Sequence, residues 1–266
     1  MTRSLRNVSS LVMVVSLLGC ASGSAGPAPT ENSAQTATPG SGDAIAALAI
    51  LQQGYVLLQQ GQYDAALSRF QDADRTSPGN ATTANMIGVC YLNKLEYDKA
   101  LEAFNRALKL KADYTDARNN RGATYLAADQ YRMAEVDFVA VLADPTYTHR
   151  WEVYYNLGMT YLLRGQLGSA KDNFRRAATA PVPVFEAFIR LAEIAQEQGE
   201  NQVAIDLLDE ARLKFPERRE AGLALGRLYV ALDRFDDARP LLEGIVAADP
   251  HSDNGQEAAQ LLASGG

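Results

Sequence analysis

Apolar residues recur at helical spacing along the chain from about residue 43, and the segments they mark repeat. Alanines at Ala66, Ala100, Ala134, Ala170, Ala204 and Ala238 are spaced 34, 34, 36, 34 and 34 residues apart. Four residues after each stands a large apolar side chain: Phe70, Phe104, Phe138, Phe174, Leu208 and Leu242. Three further on come Ala73, Ala107, Val141, Ala177, Ala211 and Ile245. Twelve before each alanine is a small residue: Gly54, Gly88, Gly122, Gly158, Ala192 and Gly226. Tyr63, Tyr97, Tyr131 and Phe235 precede four of the six alanines by three, with Leu167 and Asn201 in the other two. Unrelated amphipathic helices would share a period of 3.6 but not a common register. The pattern predicts pairs of antiparallel helices that approach closely where the Gly of the first meets the Ala of the second.

A 34-residue period with these residue types resembles the tetratricopeptide repeat, a helix–turn–helix unit. The expected fold is all-α, with six repeats over residues 47–80, 81–114, 115–150, 151–184, 185–218 and 219–252. Neighbouring repeats then bury a continuous core, and residues 253–266 supply a terminal capping helix. Pro78, Pro216 and Pro250 fall after the second helix, which a missing N–H terminates. Pro145 and Pro181 sit one position early, and Ala112 in that slot leaves the second helix of repeat two free to run on. Residues 43–46 are expected to lead into the first helix. Thr148 to Arg150 lengthens the joint between repeats three and four beside Trp151, the only Trp, and is expected to bend the array. Pro240 is expected to kink the second helix of repeat six or shift its start.

In arrays of this kind the first helices line a concave face, through positions two, five, nine, twelve and thirteen of each repeat. The resemblance therefore places Leu51, Tyr55, Leu58, Asn85, Val89, Leu92, Asn119, Leu126, Tyr155, Met159 and Leu162 in a partner-binding groove. That groove reads as apolar with amides through repeat four and acidic at repeat five, at Glu186, Glu193 and Glu197. Its asparagines suit the backbone N–H and C=O of a bound peptide. The basic cluster with which related domains clamp a C-terminal carboxylate is missing, since Leu51 and Tyr55 stand in its place and Arg227 comes only in repeat six.

The N-terminus reads as an address. Arg3 and Arg6 precede an apolar run, Leu11 to Leu18, too short to span a bilayer, and then Gly19-Cys20. This order resembles the lipobox of bacterial lipoproteins, which implies removal of residues 1–19 and acylation of Cys20. Ala21 after the Cys implies sorting to the outer membrane, on its periplasmic face. Residues 21–42 hold no Val, Ile, Leu or aromatic residue and one charge, Glu31, so they read as a flexible tether spanning roughly 25 Å root-mean-square. The full chain of 266 residues carries a net charge of −7, and loss of Arg3 and Arg6 makes it −9. That balance argues against nucleic acid, which needs a basic face. With 47% apolar residues there is ample material for a core.

Enzyme signatures are missing: there is no GxSxG, HExxH, P-loop or CxxC. Two His and two Cys leave little for a metal site, so neither catalytic residues nor metal ligands are expected. His149 reads as a surface residue and Glu193 with Glu197 as a solvated acidic face. Cys90 reads as a buried inert thiol. The sequon at Asn80 reads as a chance match.

Lipobox, tether, six repeats and total length together resemble the PilF/PilW/Tgl pilotin family of type IV pilus biogenesis and stability lipoproteins. The segment Leu142-Ala-Asp-Pro-Thr-Tyr147, followed by Tyr155-Asn-Leu-Gly158 and Tyr161, is similar to the joint after repeat three in that family. The resemblance implies an outer-membrane lipoprotein that binds the secretin and promotes its insertion and oligomerisation. It implies no small-molecule substrate and no cofactor beyond the lipid on Cys20. The alternative reading is a general periplasmic scaffold for cell-wall or outer-membrane assembly machinery.

Overall fold

The computed structural model describes residues 41–265; the signal segment, Cys20 and the tether as far as residue 40 lie outside the described residues. All regular structure among the described residues is α-helical, in thirteen helices. Repeats one to three are α1 (Ser41–Gln59) with α2 (Tyr63–Thr76), α3 (Ala81–Asn93) with α4 (Tyr97–Leu110), and α5 (Thr115–Ala127) with α6 (Tyr131–Leu142). Repeat four is α7 (Arg150–Leu163) and α8 (Leu167–Ala178). Repeats five and six are α9 (Phe185–Glu197) with α10 (Asn201–Lys214), and α11 (Arg219–Ala231) with α12 (Phe235–Ala248). The capping helix is α13 (Asp253–Ser264). These residues divide into two compact units, one ending at Gln166 and one beginning at Leu167. Within each, successive helices in the chain pack on one another.

Every first helix ends the same way. Gly61, Leu95, Asp129, Gly165, Gly199 and Asp233 all have left-handed backbone, with φ between 58° and 75°. The next N–H reaches back to a carbonyl five residues earlier, as in Gln62 N to Leu57 O (2.9 Å), Glu96 N to Tyr91 O (2.9 Å) and Gln130 N to Tyr125 O (2.8 Å). This is the six-to-one bond of a Schellman termination, and it reverses the chain in three residues. Gly takes the conformation freely and Asp tolerates it, whereas Leu95 holds it against the steric preference of its Cβ.

The helix pairs then close on the small residues. A Cβ on Gly88 would lie 2.6 Å from Phe104 Cε1, and one on Gly54 would lie 2.5 Å from Phe70 Cε1. Phe70, Phe104 and Phe138 are fully buried, each contributing about 2–3 kcal/mol by leaving water. The core of the first unit gathers Leu51, Leu67, Phe70, Ile87, Val89 and Phe104; that of the second gathers Leu208, Leu223, Leu225, Leu242 and Ile245.

Several sequence expectations shift. The first helix begins at Ser41, so residues 41–42 of the expected tether and the lead-in residues 43–46 are helical. The second helix of repeat two does not run on past its usual length. It stops at Leu110, where Lys111 N–H bonds Ala107 O and the Arg118 guanidinium takes Ala112 O (2.8 Å). Pro240 does not move the start of α12: the helix runs unbroken from Phe235, 34 residues after the start of α10. Asn80 has a structural task, since its Oδ1 accepts from Thr82 N (2.8 Å) and Thr83 N (3.2 Å) and caps α3. Ser252 caps α13 through Gly255 N (3.1 Å).

The joint before α7 runs over residues 143–149, where the connections after α2 and α4 take four residues each. Asp144 organises it, accepting from Thr115 Oγ1 (2.6 Å), Thr146 Oγ1 (2.6 Å) and Thr146 N (2.9 Å). Those donors pull its carboxyl down to about 2. Arg150 donates to the carbonyls of Asp144 and Leu142, both at 2.9 Å. His149 stands edge-on between Tyr147 and Trp151, with centroids 6.1 and 5.5 Å away.

Candidate partner-binding face

The groove of the first unit is built on α1, α3, α5 and α7, with α3 against α5 and α5 against α7. The packing that brings these helices together also closes over the middle of the expected site. Leu51, Asn85, Val89, Leu92, Asn119, Leu126, Tyr155, Met159 and Leu162 are buried, none more than 7% exposed. Only Tyr55 and Leu58 among the expected groove residues keep part of their surface in water. The apolar stripe at positions five, nine and twelve is thus largely seam between adjacent first helices. The physical reason is proximity: the small residues at position eight draw each pair together, and the neighbouring first helices follow.

What the face offers to solvent lies toward its two ends: Leu48, Thr82, Asp116 and Glu152 at position two form a wall near the helix starts, and Gln59, Asn93, Ala127 and Leu163 at position thirteen form one near the helix ends. Tyr55 rests edge-on against Phe70, with ring centroids 5.6 Å apart, so its exposed edge is held rigidly. Asn93 Nδ2 donates to Val89 O (2.7 Å).

Polar groups are buried in the seam and beside it. Asn120 Nδ2 donates to Asn85 Oδ1 (3.1 Å), a buried bond between repeats two and three. Asn119 Oδ1, next to it, is buried without a hydrogen-bond partner. Glu152 stands half-buried in the first turn of α7, and burial alone raises its carboxyl to about 7. Arg121 forms a two-pronged bond to Asp137, with Nε to Oδ2 2.8 Å and Nη2 to Oδ1 2.7 Å, and the Asp137 side chain is 3% exposed. Sequence reasoning missed this pair, although an acid immediately before the wedge Phe138, where repeat two has Ala103, was the available signal.

The remaining candidates have plain structural settings. Glu193 accepts from Arg190 Nη1 (2.6 Å), so the acidic patch of repeat five is partly neutralised. Burial raises the Cys90 thiol to about 12, which leaves it without thiolate character at neutral pH. No group of His, Cys, Asp and Glu among the described residues could hold a metal ion. No helix among them is long and apolar enough to cross a membrane.

Models of the tetratricopeptide repeat match residues 57–119 and 195–264, and a second model of the same repeat matches 152–180. Among solved structures, PilF of Pseudomonas aeruginosa superposes with a TM-score of 0.68 at 21% identity, covering 82% of this chain and 99% of that one. PilW, described as a widely conserved type IV pilus biogenesis factor, superposes at 0.70 and 23% identity, covering 80% and 98%. In sequence, the type IV pilus assembly protein PilF of P. aeruginosa is 25% identical over 167 residues, 62% of this chain and 63% of its own length. Anaphase-promoting complex subunit 3 of Schizosaccharomyces pombe is also 25% identical, over 67% of this chain but 27% of its own length. The chain thus spans less than two thirds of either relative. Six registered helix pairs, the Gly–Phe wedges and family models covering half the sequence lead to one assignment: the chain belongs to the tetratricopeptide repeat family.

Proposed function

We propose that this chain is a lipid-anchored pilotin that binds the secretin of a type IV pilus and promotes its assembly in the outer membrane. The observation that carries the reading is the extent of the structural likeness to PilF and PilW, which takes in nearly the whole of both chains rather than a shared stretch of repeats. The Leu-Leu-Gly-Cys20 lipobox and the tether, with Glu31 as its one charge, support it from the sequence side. Acylation at Cys20 would hold the repeats near the membrane. Confinement would raise the effective concentration of secretin subunits where the ring forms. The accessible parts of the first-helix face, Tyr55 and Leu58 with the walls beside them, are the contact surface in this reading.

The test is deletion of the gene, followed by a blot for the secretin on unheated membrane fractions. Loss of the multimer with accumulation of monomer is the expected result. An unchanged multimer would overturn the pilotin reading and favour a general envelope scaffold. Leu51 is unsuited to a binding test, because at 6% exposure its truncation would lower stability. The combined change Tyr55→Ala and Leu58→Ala is expected to weaken secretin binding at least tenfold at a temperature where the helical signal is retained, with a lowered melting temperature because both side chains also pack on the core.

A further inference from the structure

The first helix turns outward a face that the rest of the array keeps covered. Gln52, Gln53 and Val56 of α1 are exposed, Val56 by 52%. Thirty-four residues on, Met86, Ile87 and Cys90 hold the same positions on α3 and are buried, at 8%, 8% and 0%. There the cover is the second helix of the preceding repeat: α2 packs on α3, and Gln71 Nε2 reaches Tyr91 OH (3.5 Å). In the next repeat α4 covers α5, with Asn105 Oδ1 accepting from Arg121 Nη1 (2.7 Å) and Ala107 packed against Ala117 and Ala84. The face on α1 extends beyond the repeat frame, because α1 is 19 residues long where α3 is 13. Ile45, 68% exposed, continues it. Asp43 is the one charged residue of the whole helix.

At the other end α13 turns Gln256 and Gln260 to solvent, as a terminal cap should. Residues 21–40, which precede α1, contain no large apolar side chain with which to cover Ile45 and Val56, and the apolar run Leu11–Leu18 leaves with the signal segment in the lipobox reading, on which this step rests. From this register we infer that the outward face of α1 is a docking site for an amphipathic α-helix of a partner protein. That helix would seat as an extra second helix ahead of repeat one. Its seam would be small and uncharged, with an amide opposite Gln53, the counterpart of Arg121 in repeat three. The site is separate from the first-helix groove and does not depend on the pilotin reading.

A fluorescent peptide of residues 96–112, which carries the α4 seam with Asn105 and Ala107, is the probe. It is titrated against the full chain in detergent, followed by anisotropy. Saturable binding is expected, weakened at least tenfold by Val56→Glu in the protein and by Ala107→Glu in the peptide. Ile45→Glu, at a position outside the repeat frame, serves as a second variant if Val56→Glu lowers the melting temperature. Absence of saturable binding, or binding indifferent to these changes, would overturn the inference. So would concentration-dependent self-association of the full chain that Val56→Glu abolishes, since a second copy would then be the occupant.

Discussion

Gly88→Ala puts one methyl group against the wedge of repeat two. Three atoms of the Phe104 ring, Cε1, Cδ1 and Cζ, would lie 2.6, 2.7 and 2.9 Å from the new carbon. The ring is fully buried and cannot swing aside. Overpacking of this kind costs up to about 3 kcal/mol. Against it stands a gain of about 1 kcal/mol for replacing Gly with Ala inside a helix. The net expectation is a loss of about 1–2 kcal/mol, a fall in melting temperature of about 3–6 °C. Repeat five shows the compensation, for there Ala192 stands in the Gly position and Leu208 in the Phe position, both buried. Adding Phe104→Leu to Gly88→Ala should therefore recover more stability than the two single changes predict, a coupling of about 1 kcal/mol. Gly244→Ala is the control: nothing lies within 4 Å of a Cβ there, so it should stabilise by about 0.5–1 kcal/mol. Thermal and urea denaturation of the four variants decides the matter. If Gly88→Ala is as stabilising as Gly244→Ala, the close approach is not what the glycine serves.

Three further outcomes are expected. Leu95→Gly relieves a left-handed residue at φ 62° that is 55% exposed, and should stabilise by about 0.5–1 kcal/mol in urea melts, whereas Leu95→Val should destabilise. Arg121→Ala leaves the buried Asp137 carboxylate uncompensated and should cost about 3 kcal/mol or more, most of which Arg121→Met combined with Asp137→Leu should restore. Burial raises the Glu152 carboxyl from 4.5 to about 7, so the fold favours its neutral form. Stability from this group is full below pH 4.5 and is lost as pH rises to 7, by at most about 3 kcal/mol; the stability difference between Glu152→Gln and wild type should grow with pH across that window and be flat below it.

The repeat frame was legible because a small side chain and a bulky one must face each other at a fixed interval. The added turn and a half of α1 carries no repeat signature. The groove was legible only in outline. Counting positions along one helix says which side chains share a face, and Asn85, Val89 and Leu92 do share one. It does not say how near the next helix comes, and that distance decides whether the face is a floor open to solvent or a closed seam. The left-handed residues show the same limit. Gly61, Gly165 and Gly199 announce the turn, but Leu95 occupies the same site against its own preference, within a turn closed by the backbone bonds Leu95 N to Leu92 O (3.0 Å) and Glu96 N to Tyr91 O (2.9 Å).

The buried bond from Asn120 to Asn85 bears on how the array assembles without error. Repeats of one length and similar pattern can in principle be threaded out of order, or exchanged between two chains during synthesis. Were repeat three to dock on repeat one, Asn120 would meet Leu51, the counterpart of Asn85, and its amide would be buried with no acceptor, at a cost of about 1–3 kcal/mol. The asparagine pair thus works as a key between two particular neighbours, lowering the stability of skipped or swapped arrangements while leaving the intended order intact.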